Sequence, residues 1–382
     1  MYLRLMLLCV FMAKVHTKCE KTFTYECEKV KDVEIHGLKS WESLIISQNK
    51  CNKTTSHTLD EVLTRDAFNK TPNIQELIIV EKVNAIEVGA FNGVKRFDLL
   101  KFYKNQLTVL PRLAFADLHI YKLDLSHNSI QNIVPELFRR STVTVLNLSH
   151  NKLSTITLNI LNLPSLRYLT LSNNNLQSLA DECFHENLEH LNLGSNGITQ
   201  IEEGVIAPLK NLKELNLSNN RLKGVKIAYG MPKLETLDLS HNEIDQIAEG
   251  SFGQFLKLKH LLLNHNYLTS ISPTIFPDPN SIVTLNLHSN AFMYITEETT
   301  KVLRKVREIT TYGNPWACSC LKRFYDFLQE YNITQPECEQ KFYAEGNTAV
   351  CVITTDTCMY NDKLTQEHFQ SFRVSPKKEF CG

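Results

Sequence analysis

The segment from Leu234 to Ile247 constrains the fold of this chain more than any other feature. It reads L-x-x-L-x-L-x-x-N-x-I-x-x-I. Leu237 and Leu239 alternate with polar residues, so a short strand directs both leucines to one side. Asn242 follows where the chain must turn, and its amide can satisfy backbone groups of neighbouring coils that are costly to bury. The segment therefore predicts one coil of a repeating structure.

This unit recurs at intervals of 22 to 24 residues, which predicts a solenoid. The recurring asparagines, here called ladder asparagines, are Asn105, Asn128, Asn151, Asn174, Asn196, Asn220, Asn242, Asn266, Asn290 and Asn314. Ten residues after most of them stands an apolar residue: Phe115, Phe138, Leu161, Phe184, Ile206, Phe252 or Phe276. Phe68 and Phe91 extend this column into one or two degenerate coils. We expect an α/β solenoid, a horseshoe whose parallel sheet lines the concave side.

The repeats divide the chain into four predicted parts. These are a signal peptide (1–17), an N-terminal cap (18–57), the repeats (58–314) and a cysteine-rich C-terminal cap with a tail (315–382). The apolar run 5–13 has the length of a signal segment and is too short to cross a bilayer. The last residues lack the hydrophobic tail of a lipid-anchor signal. We therefore expect a secreted, extracellular protein with no membrane insertion.

The cysteines support an oxidising compartment, because they cluster where an open solenoid needs caps. The cap cysteines are Cys19, Cys27, Cys51, Cys318, Cys320, Cys338, Cys351, Cys358 and Cys381. Cys19–Cys27 is the expected N-terminal bond, and the C-terminal pairing stays open. Cys183 lies within the repeats, about 20 Å from Cys51 at about 4.8 Å per coil. Either both remain free thiols, or one bonds to another chain.

An amphipathic helix is predicted at the start of the C-terminal cap. Leu321, Phe324, Leu328 and Tyr331 fall on one helical face. That face can lie over the last coil and cover its apolar side chains.

The repeats from Asn105 to Asn314 resemble the extracellular animal leucine-rich repeat. N-P-W-x-C-x-C at 314–320 resembles the C-terminal flanking cap of that class. The secreted format is also similar to that of the leucine-rich immune proteins of mosquitoes, which resemble circulating recognition factors. Members with a long coiled coil act with complement-like thioester proteins. No heptads follow the cap here, so the chain resembles the coil-less subgroup. The resemblance places a complement-like protein or another leucine-rich repeat protein among the expected partners.

Exposed strand positions supply the candidate binding residues. The residues between and after the paired leucines are polar and nearly uncharged, which suits hydrogen bonding to an extracellular protein or glycan. The 41 basic and 41 acidic residues balance, which gives no reason to expect nucleic acid. The concave-face candidates are Tyr103, Tyr121, His127, His150, Tyr168, His190, His260, His265, His288 and Tyr312.

Four histidines (His127, His150, His241 and His265) directly precede a ladder asparagine. One interpretation is a pH-sensitive or metal-binding stripe. The other is that Ser-His-Asn is a common way to form this turn. Only adjacent coils could share a metal, and no carboxylate or cysteine completes a ligand set. We adopt the second interpretation and expect no metal and no cofactor.

The Ser-His-Asn sequence does not predict catalysis. Successive residues of a strand point to opposite faces, so the three side chains cannot form a catalytic triad. We expect no catalytic residue and a non-enzymatic protein.

Four sequons predict N-glycosylation, at Asn52, Asn147, Asn216 and Asn332. Glycans on Asn147 and Asn216 would cover much of the concave face and move binding to an edge or to the convex side. Alternatively, these two sequons are by-products of the L-N-L-S repeat pattern.

Together these features predict a secreted binding scaffold. The leading hypothesis is an innate immune recognition factor in insect haemolymph. The alternative is an extracellular matrix or cell-surface ligand in adhesion or tissue patterning.

Overall fold

The structure is a computed structural model. It describes residues 20–21, 24–27, 43–47, 61–69, 72–80, 83–157, 160–227, 230–335 and 358. The chain divides into two compact units, Met1–Leu191 and Asn192–Gly382. The predicted signal peptide, the sequon at Asn52 and the cysteines Cys19, Cys51, Cys338, Cys351 and Cys381 lie outside the described residues, as does the side chain of Cys27.

The first unit is built on a sheet that begins with an antiparallel pair and continues in parallel. A second, two-stranded parallel sheet, β4 with β6, lies on the return path. The strands are β1 (Glu20–Lys21), β2 (Thr24–Cys27), β3 (Ser43–Ser47), β4 (Glu61–Leu63), β5 (Glu76–Val80), β6 (Val83–Ile86), β7 (Arg96–Tyr103), β8 (His119–Asp124), β9 (Thr142–Asn147), β10 (Tyr168–Thr170) and β11 (His190–Asn192), whose last residue belongs to the second unit.

The second unit repeats the same plan with shorter strands. Its parallel sheet runs β12-β14-β16-β17-β18, and β13 pairs with β15 on the return path. Its elements are α1 (Glu203–Ile206), β12 (Glu214–Asn216), β13 (Gly224–Val225), β14 (Thr236–Asp238), β15 (Gln246–Ile247), β16 (His260–Leu262), a 3₁₀ turn (Pro273–Ile275), β17 (Thr284–Asn286), α2 (Glu297–Leu303), β18 (Glu308–Thr310) and α3 (Cys318–Glu330).

The strand register aligns equivalent leucines of successive coils, which confirms the predicted solenoid. In the first unit Leu100 pairs with Leu123, and Leu123 pairs with Leu146. In the second unit Leu237 pairs with Leu261, which also pairs with Leu285. All six leucines are fully buried. Because side chains alternate along a strand, this register directs the flanking polar residues outward.

The ladder asparagines replace backbone hydrogen bonds inside the coils, as predicted. Asn128 is typical: its Nδ2 donates to the carbonyl oxygens of Phe102 (2.7 Å) and Leu125 (3.0 Å). Its Oδ1 accepts from the amide of Leu107 at 3.1 Å. One side chain therefore satisfies buried backbone groups of its own and the preceding coil, which otherwise would be costly to bury.

The apolar column forms a row of stacked rings in the first unit. Phe91 lies 5.9 Å from Phe68 and 5.8 Å from Phe115, and Phe115 lies 5.8 Å from Phe138. In the second unit the position ten residues after Asn220 holds a glycine, which has φ +85°. A Cβ there would lie 2.9 Å from the carbonyl oxygen of Ile206, so the column cannot continue at that coil.

Helix α3 covers the end of the second unit, and the sequence predicted its buried face almost completely. Leu321, Phe324 and Leu328 are buried, and the Phe324 ring stacks on the fully buried Trp316 at 5.6 Å. Tyr331 was predicted on the same helical face, but the helix ends at Glu330. The backbone of Tyr331 has left helical geometry, with φ −99° and ψ 8°.

One recorded disulfide bond crosses the C-terminal cap. Cys320 is bonded to Cys358, and Cys318 is also disulfide-bonded. Cys183 is a free thiol with no exposed surface. A bond from Cys183 to another chain would require the coil around it to open. In the described part of the chain, no helix is both long and apolar enough to cross a membrane.

Candidate functional site

The candidate site is the outward surface of the strands and of the turns that follow them, here called the strand face. Each coil contributes four positions, counted from the buried leucine that stands five residues before the ladder asparagine. They lie one residue before that leucine and one, three and four residues after it. The fourth, directly before the ladder asparagine, is called the turn position.

Every described turn position has a left-handed backbone, which the sequence analysis did not foresee. The φ angles fall between 52° and 66° at Lys104, His127, His150, Asn173, Ser195, Asn219, His241, His265, Ser289 and Gly313. Glycine, asparagine and histidine tolerate this conformation better than β-branched residues. The glycine at one of these positions and asparagines at two others were the available sequence signal.

This backbone explains the four histidines and corrects one argument about catalysis. Ser-His-Asn is not part of a strand, because β14 ends at Asp238 and β8 ends at Asp124. The serines are held instead by the preceding acidic residues. Ser126 Oγ donates to Asp124 Oδ1 and Ser240 Oγ donates to Asp238 Oδ1, both at 2.6 Å. The hydroxyls are therefore directed to carboxylates rather than to the histidines.

An aromatic stack in the first unit combines a tyrosine with two histidines. Tyr103 meets His127 edge-on at 5.0 Å, and His127 stacks on His150 at 4.0 Å. Lys101 and Lys104 place their Nζ atoms 4.7 Å and 5.4 Å from the Tyr103 ring centroid. This cluster is aromatic and basic, which suits cation–π contacts within the surface and contact with an anionic group.

Two electrostatic effects act inside this cluster. Lys101 Nζ lies 3.5 Å from the buried carboxylate of Asp124. Burial lowers the pKa of His127, and the positive charges of His150 and Lys104 lower it further, while Asp124 opposes this shift. The His127 ring therefore favours its neutral form.

Two further predicted residues of the first unit lie in a different column. Tyr168 and His190 each stand one residue before the buried leucine of their coil, and their rings stack at 4.5 Å. Tyr168 is 41% exposed, and Tyr121 is 58% exposed. Large exposed aromatic side chains of this kind are typical anchors of protein interfaces.

The second unit carries its own aromatic stack. His241 stacks on His265 at 4.0 Å, His265 meets His288 edge-on at 4.8 Å, and His288 stacks on Tyr312 at 4.3 Å. His260 is exposed at the start of β16. The ten predicted binding residues thus fall into two groups, six in the first unit and four in the second.

Sequence reasoning missed two residues of the second unit, Leu262 and Asn264. Most coils place asparagine or aspartate one residue after the buried leucine, where its Oδ1 accepts from the amide two residues on, as Asn216 does from Ser218 at 2.8 Å. The Leu262 side chain has no oxygen that could accept this hydrogen bond. Asn264 is only 8% exposed, and its Oδ1 has no hydrogen-bond partner. The available sequence signal was Leu262 itself, an apolar residue at a position that is polar in the other coils.

Three of the predicted glycosylation sites are described, and each stays a prediction. Asn147 Oδ1 accepts from the amide of Ser149 at 3.0 Å. Asn216 Oδ1 accepts from the Ser218 amide and, at 2.7 Å, from its hydroxyl. Both asparagines are half-buried on the strand face, whereas Asn332 is exposed.

The described residues hold no group of three or more histidine, cysteine, aspartate or glutamate side chains placed to hold a metal ion. The arrangement can supply stacking surfaces, hydrogen bonds and local charge. These are the means of recognising another molecule.

Family comparisons match the repeats. The description "Leucine rich repeat" matches residues 119–176, 164–222 and 232–292, and "Leucine Rich repeats (2 copies)" matches 210–250. These segments are leucine-rich repeats. Leucine-rich repeat domains are typically non-catalytic binding scaffolds.

Among curated proteins, the chain is similar to human leucine-rich repeats and immunoglobulin-like domains protein 1. The two are 33% identical over 107 residues, which is 28% of this chain and 9% of that relative. The chain therefore spans a small part of the relative's length.

Solved leucine-rich repeat structures share the fold. A chain of the octameric complex of Latrophilin 3, Unc5D and FLRT2, whose leucine-rich repeat component is FLRT2, gives a TM-score of 0.61 at 22% identity, covering 69% of this chain and 84% of that one. A leucine-rich repeat protein of Leptospira interrogans gives 0.50 at 23% identity, covering 77% and 83%. The TLR13–ssRNA13 complex gives 0.50 at 20% identity, covering 83% and 57%.

Proposed function

We propose that the chain is a secreted, extracellular, non-enzymatic scaffold that binds a partner protein through its strand face. The observation that carries this proposal is the pair of aromatic stacks, Tyr103–His127–His150 and His241–His265–His288–Tyr312, which lie at the strand ends and in the turns that follow them. Stacked rings offer a large contact surface at low cost in side-chain entropy. The surrounding serines and asparagines supply hydrogen bonds.

The first candidate role is innate immune recognition in insect haemolymph. The resemblance of the repeats and of the N-P-W-x-C-x-C cap to secreted leucine-rich immune proteins supports it. Its partners would be a complement-like protein or another leucine-rich repeat protein.

The second candidate role is that of an extracellular matrix or cell-surface ligand in adhesion or tissue patterning. It is supported by the likeness to the FLRT2 complex, in which a leucine-rich repeat component assembles with Latrophilin 3 and Unc5D. Both roles use the same surface, so the partner decides between them.

Affinity capture tests the proposal. The native protein is used as bait in its own body fluid, eluted without reductant, and its partners are identified by mass spectrometry. Complement-like proteins, proteases or a second leucine-rich repeat protein would support immune recognition. A receptor or a matrix component would support the second role.

Matched strand-face variants show which surface binds. Tyr103→Ser with His150→Asn alters the first stack, and His265→Asn with Tyr312→Ser alters the second. The control, Lys322→Ala, changes an exposed residue of helix α3 away from both stacks. We expect at least one stack variant to lose the captured partner while the control keeps it. Unchanged capture by both stack variants would refute binding through the strand face.

Glycan removal separates the two predicted states of this surface. If Asn147 and Asn216 carry glycans that cover the strand face, enzymatic trimming should expose it and strengthen capture. If trimming leaves capture unchanged and mass spectrometry finds both asparagines unmodified, the sequons are by-products of the repeat pattern.

A further inference from the structure

The strand face of the second unit carries negative charge only. Its four columns, from β12 to the turn after β18, contain Glu214, Asp238 and Glu308 and no lysine or arginine. The same columns of the first unit contain Lys101, Lys104 and Lys122. Three carboxylates on one surface attract a cationic group and repel an anionic one. A partner of the second unit is therefore expected to bring positive charge.

Basic residues of the second unit begin one position further out, at the edge of the strands. Lys259 is the clearest case, and its Nζ lies 2.7 Å from the carboxylate of Glu235. That ion pair neutralises both charges at the edge. It leaves the acidic character of the four inner columns unchanged.

Asn264 stands in the middle of this surface with an unused hydrogen-bond acceptor. It lies between Ser240 and His288 of the neighbouring coils, because the His241 amide donates to the Asn264 carbonyl and the His265 amide donates to the His288 carbonyl. Its side-chain Oδ1 is buried without a partner. An unpaired buried acceptor costs about 1–3 kcal/mol. Rotation of the amide would bring Oδ1 to the surface, where a hydrogen-bond donor of a ligand recovers this cost.

Around Asn264, the His288 and Tyr312 rings lie face to face, so each covers the face of the other. His288 stacks on Tyr312 at 4.3 Å and meets the ring of His265 at 4.8 Å. Leu262, the apolar member of an otherwise polar column, is half-buried beside them. Asp238 pairs with Leu262 in the strand register, so a carboxylate lies beside Leu262.

We propose that the strand face of the second unit binds an arginine side chain presented by a partner protein, with Asn264 and Asp238 as its acceptors. This inference rests on the proposed protein-binding function and names the partner's chemistry. The guanidinium donates to Asn264 Oδ1 after rotation of the amide and faces the Asp238 carboxylate. An aliphatic neighbour of the arginine packs on Leu262.

Arginine fits these features better than lysine or a sugar does. Its guanidinium carries five donors in a fixed planar arrangement, which suits two separate acceptors. A lysine ammonium is a compact, strongly hydrated charge whose three donors leave from one atom. A neutral glycan could stack and donate, but it would not use the three carboxylates.

Peptide binding to the full chain tests the proposal. The probe is a fluorescein-labelled Gly-Leu-Arg-Leu-Gly peptide, followed by fluorescence anisotropy. The matched probe replaces arginine with citrulline, which keeps the shape and removes the charge. We expect saturable binding of the arginine peptide and about tenfold weaker binding of the citrulline peptide. Equal binding of the two peptides, or no saturable binding of the arginine peptide, would overturn the proposal.

Two variants locate the site. Asn264→Ser introduces the residue found at this position in five of the ten coils, so the fold should be retained, and Asp238→Asn removes one carboxylate. Each should weaken binding of the arginine peptide by about fivefold to tenfold. Asp124→Asn is the matched control, because Asp124 bonds its serine in the same way but lies in the first unit beside Lys101.

The control gives the opposite expectation. Asp124→Asn should bind the arginine peptide as the wild type does. Wild-type affinity in Asn264→Ser, or equal weakening by Asp124→Asn and Asp238→Asn, would refute the assignment. A third outcome separates this inference from the proposed function. If neither the wild type nor any variant binds the arginine peptide, but the strand-face variants lose the captured natural partner, the proposed function stands and the arginine is rejected.

Discussion

At the residue scale, the ladder asparagines show how the solenoid tolerates buried backbone away from its strands. Asn220 Nδ2 donates to the carbonyl oxygens of Leu193 and Leu217, both at 3.0 Å, and its Oδ1 accepts from the Ile198 amide at 3.0 Å. No other side chain of this size offers two donors and an acceptor in one plane. The asparagine is therefore required by hydrogen bonding rather than by packing.

Replacing this amide should be costly, whereas its exposed neighbour should tolerate change. Asn220→Ala leaves three backbone groups without partners, and we expect a loss of about 2–4 kcal/mol in the free energy of unfolding. Asn219→Gly keeps the left-handed turn (φ 53°) and should be close to neutral. Urea denaturation followed by circular dichroism measures both. Equal effects of the two variants would contradict the hydrogen-bond explanation.

The stack of His127 on His150 should make the first unit sensitive to acid. Burial and the neighbouring charges lower the pKa of His127 from its ordinary value of 6.5. A lowered pKa in the folded state means that the unfolded chain binds the proton first as pH falls. The contribution of His127 to stability is thus present above pH 6.5 and is lost as pH falls from there through the folded-state pKa.

Nuclear magnetic resonance titration of the ring protons measures this shift. We expect the His127 pKa in the native protein to lie below 6.5 and to rise in His150→Asn, which removes one of the opposing charges. His119→Asn serves as control, because the His119 ring contacts Thr142 at 3.0 Å rather than the stack. A His127 pKa that is unchanged by His150→Asn would exclude coupling between the two rings.

The free thiol of Cys183 should be unreactive in the native protein. Burial raises its pKa to about 12, so almost no thiolate forms at neutral pH. We expect iodoacetamide to leave Cys183 unmodified in native buffer and to alkylate it in urea, as read by peptide mass spectrometry. Rapid native alkylation would show that the coil around Cys183 opens readily.

At the element scale, helix α3 has the task of covering the last coil. Its buried face consists of Leu321, Phe324 and Leu328, and Phe324 continues the ring contacts from Phe292 through Trp316. Phe324→Ala should lower the free energy of unfolding by about 3–5 kcal/mol, because it removes a buried ring and leaves a cavity. Lys322→Ala, on the exposed side of the same helix, should change it by less than about 0.5 kcal/mol.

Thermal unfolding followed by circular dichroism compares the two variants. Similar melting temperatures for Phe324→Ala and the wild type would mean that the helix does not support the coil beneath it.

Elements were predictable from sequence where one strong period fixes the answer. The spacing of Leu237, Leu261 and Leu285 fixed the strand register, and the spacing of Leu321, Phe324 and Leu328 fixed the buried helical face. The return-path pairs β4–β6 and β13–β15 have only two to four residues each, too few for a period to emerge. The left-handed turns depend on backbone angles that several residue types permit, so composition alone did not indicate them.

The candidate site was predictable in part for the same reason. The histidines were visible in the sequence, but their mutual stacking depends on the distance between coils. Asn264 was missed because its distinction lies in the absent hydrogen-bond partner of its Oδ1, which no sequence pattern indicates. The pairing of Cys320 with Cys358 depends on the path of the cap and could not be derived from spacing.

At the scale of the whole molecule, each coil is stabilised mainly by its immediate neighbours. Such a structure has no single core, so damage to one coil should spread over a short distance. Asn220→Ala should lower amide hydrogen-exchange protection in the coils that share its hydrogen bonds, such as Leu193 and Leu217. Amides of β7 and β8 in the first unit should keep their protection. Uniform loss of protection along the chain would show instead that the solenoid unfolds as one cooperative unit.

The left-handed turn has a consequence for how such a surface diversifies. The turn column contains only glycine, asparagine, serine, lysine and histidine, because β-branched side chains are strained in its left-handed backbone. The other three columns are free of this restriction. A library intended to retarget the surface should therefore randomise those three columns and leave the turn column unvaried. Natural relatives that bind different partners are expected to have followed the same path.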